Sequence, residues 1–284
     1  MSTIQKVAVI GSGVMGSGIA AQAANAGMSV VLLDIIDSDN PDRSSLARSA
    51  IARMLKTVPA PLMHPRNAKQ ITPGNIEDDL SLVSDCDLII EVVLENLEIK
   101  QSLYQRLLKH RKPGSIVTSN TSTIPLHNLV DKMPEDFRQH FAITHFFNPP
   151  RYMRLLEIVA GPDTQPEVIE TLRNFGDRQL GKSVVDCKDT PGFIANRIGV
   201  FSLLATIHHS ERLEIPFEIV DALTGTLLGR PKSATFRTMD VVGLDTLVHV
   251  ANGIYQNCPN DESHGLFKLP EFIDKMMENK WLGS

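Results

Sequence analysis

The sequence predicts an α/β chain: a doubly wound, parallel sheet followed by a smaller all-helical domain. Three observations carry that reading. Short apolar runs of β-branched residues alternate with helix-length segments as far as Pro191. Beyond Pro191 the strand pattern stops and only helical periodicity remains. A glycine-rich loop joins the first strand to the first helix, the place where such sheets hold phosphate groups.

Val7-Ala8-Val9-Ile10 is too short for a helix and reads as a buried parallel strand. Gly11-Ser12-Gly13-Val14-Met15-Gly16 follows, a G-x-G-x-x-G loop that opens a helix of small residues. Gly11 is read as the tight turn, Gly13 as the point of backbone approach to a pyrophosphate, and Gly16 as a close contact between helix and strand. The phosphates then sit on the N–H groups at the helix start, those of Val14 and Met15 among them. The helix ends near Gly27, and Val30-Val31-Leu32-Leu33 is a second buried strand closing on Asp34. That carboxylate, about twenty residues past the loop, is placed for the hydroxyls of an adenosine ribose. Three glycines alone would mark an ordinary strand-to-helix turn. Strand, loop, helix, strand and acid in order make a Rossmann-type dinucleotide unit. A 2′-phosphate beside Asp34 would meet like charge, and Ile35-Ile36-Asp37 offers no arginine, so the expected cofactor is NAD and not NADP.

Residues 44–57 read as a helix, with Leu46, Ala50, Ile51, Met54 and Leu55 at helical spacing. From Arg43 to Lys69 the bases are Arg43, Arg48, Arg53, Lys56, Arg66 and Lys69, with no acid between them, in a chain of net charge -5. Such a run is either a solvated face or a patch for an anionic ligand. Pro59, Pro61 and Pro65 separate it from a short strand that begins at Ile71 and is ended by Pro73-Gly74. Asp87 to Val93 is a stronger strand leading to a helix from about Leu97 to His110. Glu95 and Lys100 stand at that junction, where open α/β sheets bind ligands, with helix capping the alternative role for Glu95. Ser115 to Thr118 is the next strand, and Ser119-Asn120-Thr121-Ser122-Thr123 after it is a helix cap or a site loop.

Phe141 to Phe147 is an apolar strand stopped by Asn148-Pro149-Pro150. His145 inside it is either a satisfied core histidine or a catalyst. Leu155 to Val159 is a second strand bearing one acid, Glu157, and the intervening turn can set that acid beside His145. A carboxylate on one ring nitrogen fixes the tautomer and raises the basicity of the other, as a general base requires. Glu167 to Gln179 is a helix, Ser183 to Val185 a last strand, and Cys187 to Gly192 the linker. Thr190 can cap and Pro191 suits a first turn, so a long helix is expected from Phe193 to about Leu213, with Asn196 and Arg197 near its start. Further helices are expected at about Phe217 to Leu227, Asp240 to Tyr255 and Leu269 to Asn279. The domains are therefore residues 1–190, with a helical insertion at about 43–69, and residues 191–284.

Hydrophobic content of 42% and charged content of 21% describe an ordinary soluble chain able to bury a core. Net charge of -5 argues against a nucleic-acid partner for the chain as a whole. Cys86, Cys187 and Cys258 are isolated and lack C-x-x-C spacing, which suits a reducing compartment with no structural disulfide and no metal site. No apolar run approaches the ~18 residues of a membrane span, and the chain opens almost directly on its first strand. The expectation is a cytoplasmic protein without a membrane partner.

With these pieces placed, the chain resembles the L-3-hydroxyacyl-CoA dehydrogenase family across nearly its whole length. The matching strings are GSGVMGSGIA from Gly11, EVVLENLEIK from Glu91, SNTS from Ser119, HFFNP from His145, the lone Glu157, and DTPGFIANR from Asp189. The resemblance implies NAD-dependent oxidation of an L-3-hydroxyacyl-CoA, as in fatty-acid β-oxidation. It implies His145 as general acid/base, Glu157 as its orienting partner, and Ser122 and Asn196 as holders of the substrate's 3-oxygen. Asn148 would support that cluster and contact the cofactor, as would Asn120; Glu95 and Lys100 would line the nicotinamide-ribose end. The basic segment would cover the CoA moiety, with Arg53 and Lys56 as its contacts. As to partners, the implied state is a homodimer, or a chain packed on further domains of a longer parent.

Three features depart from the family pattern. Pro150-Arg151-Tyr152 and the stretch from Gly229 to Phe236 resemble the dehydrogenase part of large bacterial proteins that also carry an enoyl-CoA hydratase domain. The chain also stops at Trp281-Leu282-Gly283-Ser284, before the glycine-rich G-x-G-F-Y stretch that closes this helical domain in the family, so truncation is expected. Two other functions fit parts of the pattern. A dehydrogenase of a free hydroxy or sugar acid would need the base but no CoA patch. A catalytically silent NAD-binding module would have no use for His145, Glu157, Ser122 and Asn196 together.

Overall fold

The structure is a computed structural model and describes residues 3–283; Ser284, the end of the terminal stretch named above, lies outside them. Contacts divide the chain into two compact units, Met1–Asp189 and Thr190–Ser284.

In the first unit, β1 (Lys6–Ile10) passes through the glycine loop into α1 (Val14–Asn25), and β2 (Ser29–Asp34) returns beside it. Next come α2 (Ser45–Met54), a 3-10 turn at Pro65–Gln70, and β3 (Ile71–Asn75). β4 (Leu88–Glu91), α3 (Leu97–Leu107) and β5 (Ile116–Ser119) form the next repeat. Two short helices, α4 (Leu126–Val130) and α5 (Glu135–Gln139), precede β6 (Phe141–Phe146) and β7 (Leu155–Ala160). The unit closes with α6 (Pro166–Asn174), which runs on into a π-helical turn, and β8 (Ser183–Cys187).

The eight strands make one sheet in the order β3-β2-β1-β4-β5-β6-β7-β8, parallel except at β6–β7. The strands of β4 and β5 are buried along their whole length, which is why they read as unbroken apolar runs. Chain direction across the sheet reverses between β1 and β4, so a crevice opens at the carboxyl ends of those two strands. One strand runs longer than its sequence suggests. Pro73 and Gly74 lie inside β3, paired with Leu32 and Leu33, and they are accommodated there because β3 is an edge strand bonded only to β2.

The second unit is helical among its described residues: α7 (Ala195–Arg212), α8 (Phe217–Thr224), α9 (Phe236–Val242), α10 (Leu244–Asn257) and α11 (Glu271–Glu278). Leu204, Ile207, Ala251, Ile254, Phe267 and Ile273 form the centre of its core. Two helices differ from their expected spans for backbone reasons. Gly192 and Phe193 both adopt positive φ, +76° and +45°, so α7 starts at Ala195 and not at Phe193. The helix expected over Asp240 to Tyr255 is two helices, broken at Gly243, whose φ of +95° an L-residue rarely adopts.

Candidate active site

The glycine loop is built around two close approaches. Gly11 has φ +108°, and a Cβ there would lie 2.4 Å from the Val92 carbonyl oxygen. A Cβ on Gly16 would lie 1.8 Å from the Gly11 carbonyl oxygen, while the nearest strand atom, on Val9, is 3.5 Å away. Gly16 therefore makes room chiefly for the loop itself, a correction to the helix-against-strand role expected of it. Nothing lies within 4 Å of a Cβ built on Gly13, so the approach to that backbone is open. No side chain caps α1, which leaves the first-turn N–H groups of Val14, Met15 and Gly16 directed at the loop opening. Asp34 ends β2 beside this loop. One of its oxygens accepts the Ser12 amide at 2.6 Å and the Ser12 hydroxyl, and the other accepts the Ile35 amide at 2.7 Å. An open glycine backbone, an uncapped helix start and an anchored acid are the donor and acceptor set that a dinucleotide requires, so these residues fit NAD.

The basic run divides in two. Arg43 pairs with Asp78 at 2.6 Å and Arg48 with Asp42 at 3.0 Å, so these two charges are spent on surface acids. Arg53 and Lys56 are in no ion pair among the described residues and line an open recess with Ser49, Ala52 and Thr57. The Arg53 guanidinium also reaches back to the glycine loop, 3.4 Å from the Ser12 carbonyl oxygen.

β6 and β7 are antiparallel, and their register puts His145 directly opposite Glu157. Side chains opposite one another in such a pair share a face of the sheet. His145 Nδ1 lies 2.8 Å from Glu157 Oε2, with the two residues 6% and 0% exposed. Since a carboxylate accepts, the neutral imidazole holds its proton on Nδ1 and presents its lone pair on Nε2. The Phe147 ring packs edge-on against the imidazole, centroids 4.5 Å apart. Asn120 steadies the same strand, its side-chain oxygen accepting the Phe146 amide at 2.9 Å.

Past His145 the chain makes a tied-down loop. Asn148 is exposed, and a Cβ on Gly18 would lie 2.7 Å from Pro150 Cδ, so α1 and this loop pack without a side chain between them. Arg151 donates to the Ala60 carbonyl at 2.6 Å, and the Tyr152 hydroxyl to the same oxygen at 3.0 Å, which fastens the loop to the segment after α2. Beneath it, Lys182 donates to the carbonyls of Met153, at 2.8 Å, and of Pro150. Burial pushes the Lys182 ammonium below the usual lysine range, while the two carbonyls hold its charge. An isolated lysine in Gly181-Lys182-Ser183 offers no sequence signal for that role.

Glu95 is not the cap of α3. That role belongs to Asn96, whose side-chain oxygen accepts the Ile99 amide at 3.0 Å. One oxygen of Glu95 instead gathers the loop after β5: the Thr121 hydroxyl, the Thr123 hydroxyl at 2.9 Å, and the amides of Ser122 and Thr123 at 3.3 Å. Its other oxygen lies 3.3 Å from Lys100 Nζ. Burial alone would raise the Glu95 carboxyl, but the Lys100 ammonium and the two threonine hydroxyls outweigh it and hold the group below the ordinary carboxylate range. Lys100 is itself 1% exposed, a buried charge rather than a surface contact.

The reason is Glu91, fully buried at the end of β4. Its Oε1 accepts Lys100 Nζ at 2.7 Å and the Val93 amide at 2.8 Å; its Oε2 accepts the Tyr104 hydroxyl at 2.7 Å and the Ser119 hydroxyl at 2.8 Å. Sequence reading gives Glu91 and Tyr104 no role of their own and meets Ser119 only as the first residue of a cap or site loop. Ser122 is half-buried in the loop that Glu95 holds, and Asn196 is a half-buried residue in the first turn of α7, in the second unit. Among the described residues there is no cluster of three metal-ligating side chains, and no helix is long and apolar enough to cross a membrane.

Residues 6–190 match the family model of the 3-hydroxyacyl-CoA dehydrogenase NAD binding domain, and residues 192–284 match that of the 3-hydroxyacyl-CoA dehydrogenase C-terminal domain. A Bacillus subtilis protein named "Probable 3-hydroxyacyl-CoA dehydrogenase" is 48% identical over 297 residues, covering 99% of this chain and 37% of its own length. A Rickettsia felis protein named "Putative fatty acid oxidation complex trifunctional enzyme" is 43% identical over 281 residues, covering 99% of this chain and 39% of its own length. The chain thus spans less than two fifths of these two relatives. The crystal structure of M. tuberculosis FadB2 superposes with a TM-score of 0.85 at 31% identity, covering 100% of this chain and 96% of that one.

Proposed function

The chain belongs to the 3-hydroxyacyl-CoA dehydrogenase family, and from that premise we propose that it oxidises L-3-hydroxyacyl-CoA to 3-ketoacyl-CoA with NAD. The observation that carries the reading is the buried His145–Glu157 pair, with Nδ1 to Oε2 at 2.8 Å, in the sheet whose first loop is open for a dinucleotide. His145 takes the proton of the 3-hydroxyl at Nε2, and Glu157 stabilises the imidazolium that forms. Bound NAD supplies the acceptor for the hydride that leaves C3. Ser122 and Asn196 donate to the 3-oxygen as its carbon becomes a ketone. The N–H groups of Val14 and Met15 hold the pyrophosphate and Asp34 the adenosine ribose. Asn120 and Asn148 bound the cofactor from the His145 side, and Glu95 fixes the loop that carries Ser122.

Arg53 and Lys56 form the contact for CoA phosphates, a reading supported by their being outside the surface ion pairs that occupy Arg43 and Arg48. The same pair argues against a free hydroxy or sugar acid as substrate. The setting is cytoplasmic, and the chain works either as a homodimer or beside further domains, the latter supported by relatives more than twice the length of this chain.

Acetoacetyl-CoA-dependent oxidation of NADH, run beside free acetoacetate, tests the activity. The expected result is turnover of the thioester alone. His145→Gln should then abolish it, a loss of roughly 10²–10⁴-fold for a general base, with NAD affinity unchanged. A fully active His145→Gln enzyme would return His145 to the core.

A further inference from the structure

The linked ionisable groups at the carboxyl end of β4 do not balance in charge. Lys100 contributes one ammonium, 2.7 Å from Glu91 and 3.3 Å from Glu95. Tyr104 adds none, because burial pushes its phenol well above the ordinary range and it serves Glu91 as a neutral donor. One ammonium between two carboxylates leaves the cluster a single negative charge. Glu91 and Lys100 are 0% and 1% exposed and the Glu95 side chain is 26% exposed, so water reaches the cluster from the Glu95 side alone.

Its place in the sheet gives that charge a target. Glu91 is the last residue of β4, hydrogen-bonded alongside β1 where strand order reverses, and the neighbouring Val92 carbonyl closes on Gly11 of the glycine loop. A dinucleotide whose pyrophosphate lies on that loop and whose adenosine points to Asp34 on β2 sends its nicotinamide half across to the β4 side. The oxidised nicotinamide ring carries a positive charge that the reduced ring lacks.

We propose that the Glu91–Lys100–Glu95 cluster biases the cofactor site toward the oxidised dinucleotide. The inference rests on the NAD-binding reading above and adds to it a determinant of redox-state preference. Glu91 is the fully buried carboxylate of the two, and all four of its hydrogen bonds come from within the protein and keep its charge in place. In general, a unit charge about 10 Å from a ligand, at an effective dielectric constant of about 20, changes the affinity ratio of its charged and neutral forms roughly tenfold.

Titration of NAD⁺ and NADH into the wild-type chain and three variants tests this. Glu91→Gln and Glu95→Gln should weaken NAD⁺ relative to NADH, by roughly tenfold for Glu91. Lys100→Met, which leaves the two carboxylates uncompensated, should move the ratio the other way. Opposite movement is the signature, because a variant that merely loosens the site weakens both cofactors together. Should Glu91→Gln fail to fold, the Glu95→Gln and Lys100→Met arms carry the same comparison. Ratios that stay level, or that move in one direction in all variants, overturn the proposal. A wild-type chain that binds neither cofactor overturns the dinucleotide reading and this proposal together, whereas tight binding with level ratios overturns this one alone.

Discussion

Glutamine in place of Glu157 would keep an oxygen opposite His145 and remove only its charge. Nδ1 and Oε2 stand 2.8 Å apart on residues 6% and 0% exposed, so the pair is shielded from solvent in both protonation states. While the imidazole is neutral, the variant loses about half the strength of a charge-assisted hydrogen bond, ~1 kcal/mol. After Nε2 has taken the substrate's proton the loss is larger, since an ion pair at ~4 Å in a medium of effective dielectric ~20 is worth about 4 kcal/mol. The difference between these two states is what enters the barrier. At roughly 2–3 kcal/mol it lowers kcat by about 30- to 150-fold. Steady-state oxidation of an L-3-hydroxyacyl-CoA, with kcat and KM resolved and an NAD titration alongside, reads this directly. A kcat within threefold of wild type, paired with a raised KM, would refute the reasoning: Glu157 would then shape the substrate site without stabilising the imidazolium.

Asp34, already held by Ser12 and Ile35, should repel a 2′-phosphate, so titration should find NAD at least tenfold tighter than NADP, ~1.4 kcal/mol. Asp34→Asn should narrow that gap, and equal wild-type affinities would place the acid away from the ribose. Arg53→Ala and Lys56→Ala should each shrink the kinetic preference for CoA thioesters over pantetheine analogues and flatten its decline with salt, while Arg48→Ala, whose charge is spent on Asp42, should leave both unchanged. For stability, burial alone would raise the Asp87 carboxyl, but Lys112 and the amides of Gln5 and Lys6 lower it. A depressed carboxylate stabilises the fold above the unfolded-state pKa, about 3.9, and loses that contribution as pH falls through the folded value. Asp87→Asn should therefore cost about 1–3 kcal/mol in denaturant unfolding at neutral pH, and the difference should vanish in acid.

The centre of the sheet was legible because its strands are buried on both faces and so appear as unbroken apolar runs, each ended by glycine, proline or a polar loop. What the pattern could not convey is where backbone geometry overrides it. Pro73 reads as a strand end because a proline inside a sheet lacks a ladder donor, yet an edge strand has no neighbour on its outer side to miss that donor. The apolar spacing from Asp240 to Tyr255 continues through Gly243, and only the positive φ at that residue separates α9 from α10. Phe193 is harder still. A bulky residue at φ +45° contradicts its own propensity, and only the fold around it could announce the delayed start of α7.

At the site, legibility depended on whether partners are joined by a countable spacing. His145 and Glu157 lie on adjacent strands linked by a short turn, so a period of two residues suffices to bring them opposite one another. Glu91 has no such local partner. Apart from the Val93 amide, its donors come from α3 and from the end of β5, and reading them requires the packing of three elements at once. A signal was nevertheless present. Leu88-Ile89-Ile90-Glu91 puts an acid at the end of a run that is otherwise wholly apolar, and a carboxylate there must find buried donors or force the strand open. Lys100 and Tyr104 are four residues apart, which on a helix places both on one face. The next helix after the strand therefore offers an ammonium and a phenol in register for one carboxylate. That pairing ties α3 to β4, and the Ser119 hydroxyl carries the tie on to the loop that contains Ser122. Loss of charge at Glu91 should accordingly be felt first in cofactor preference and only second in turnover.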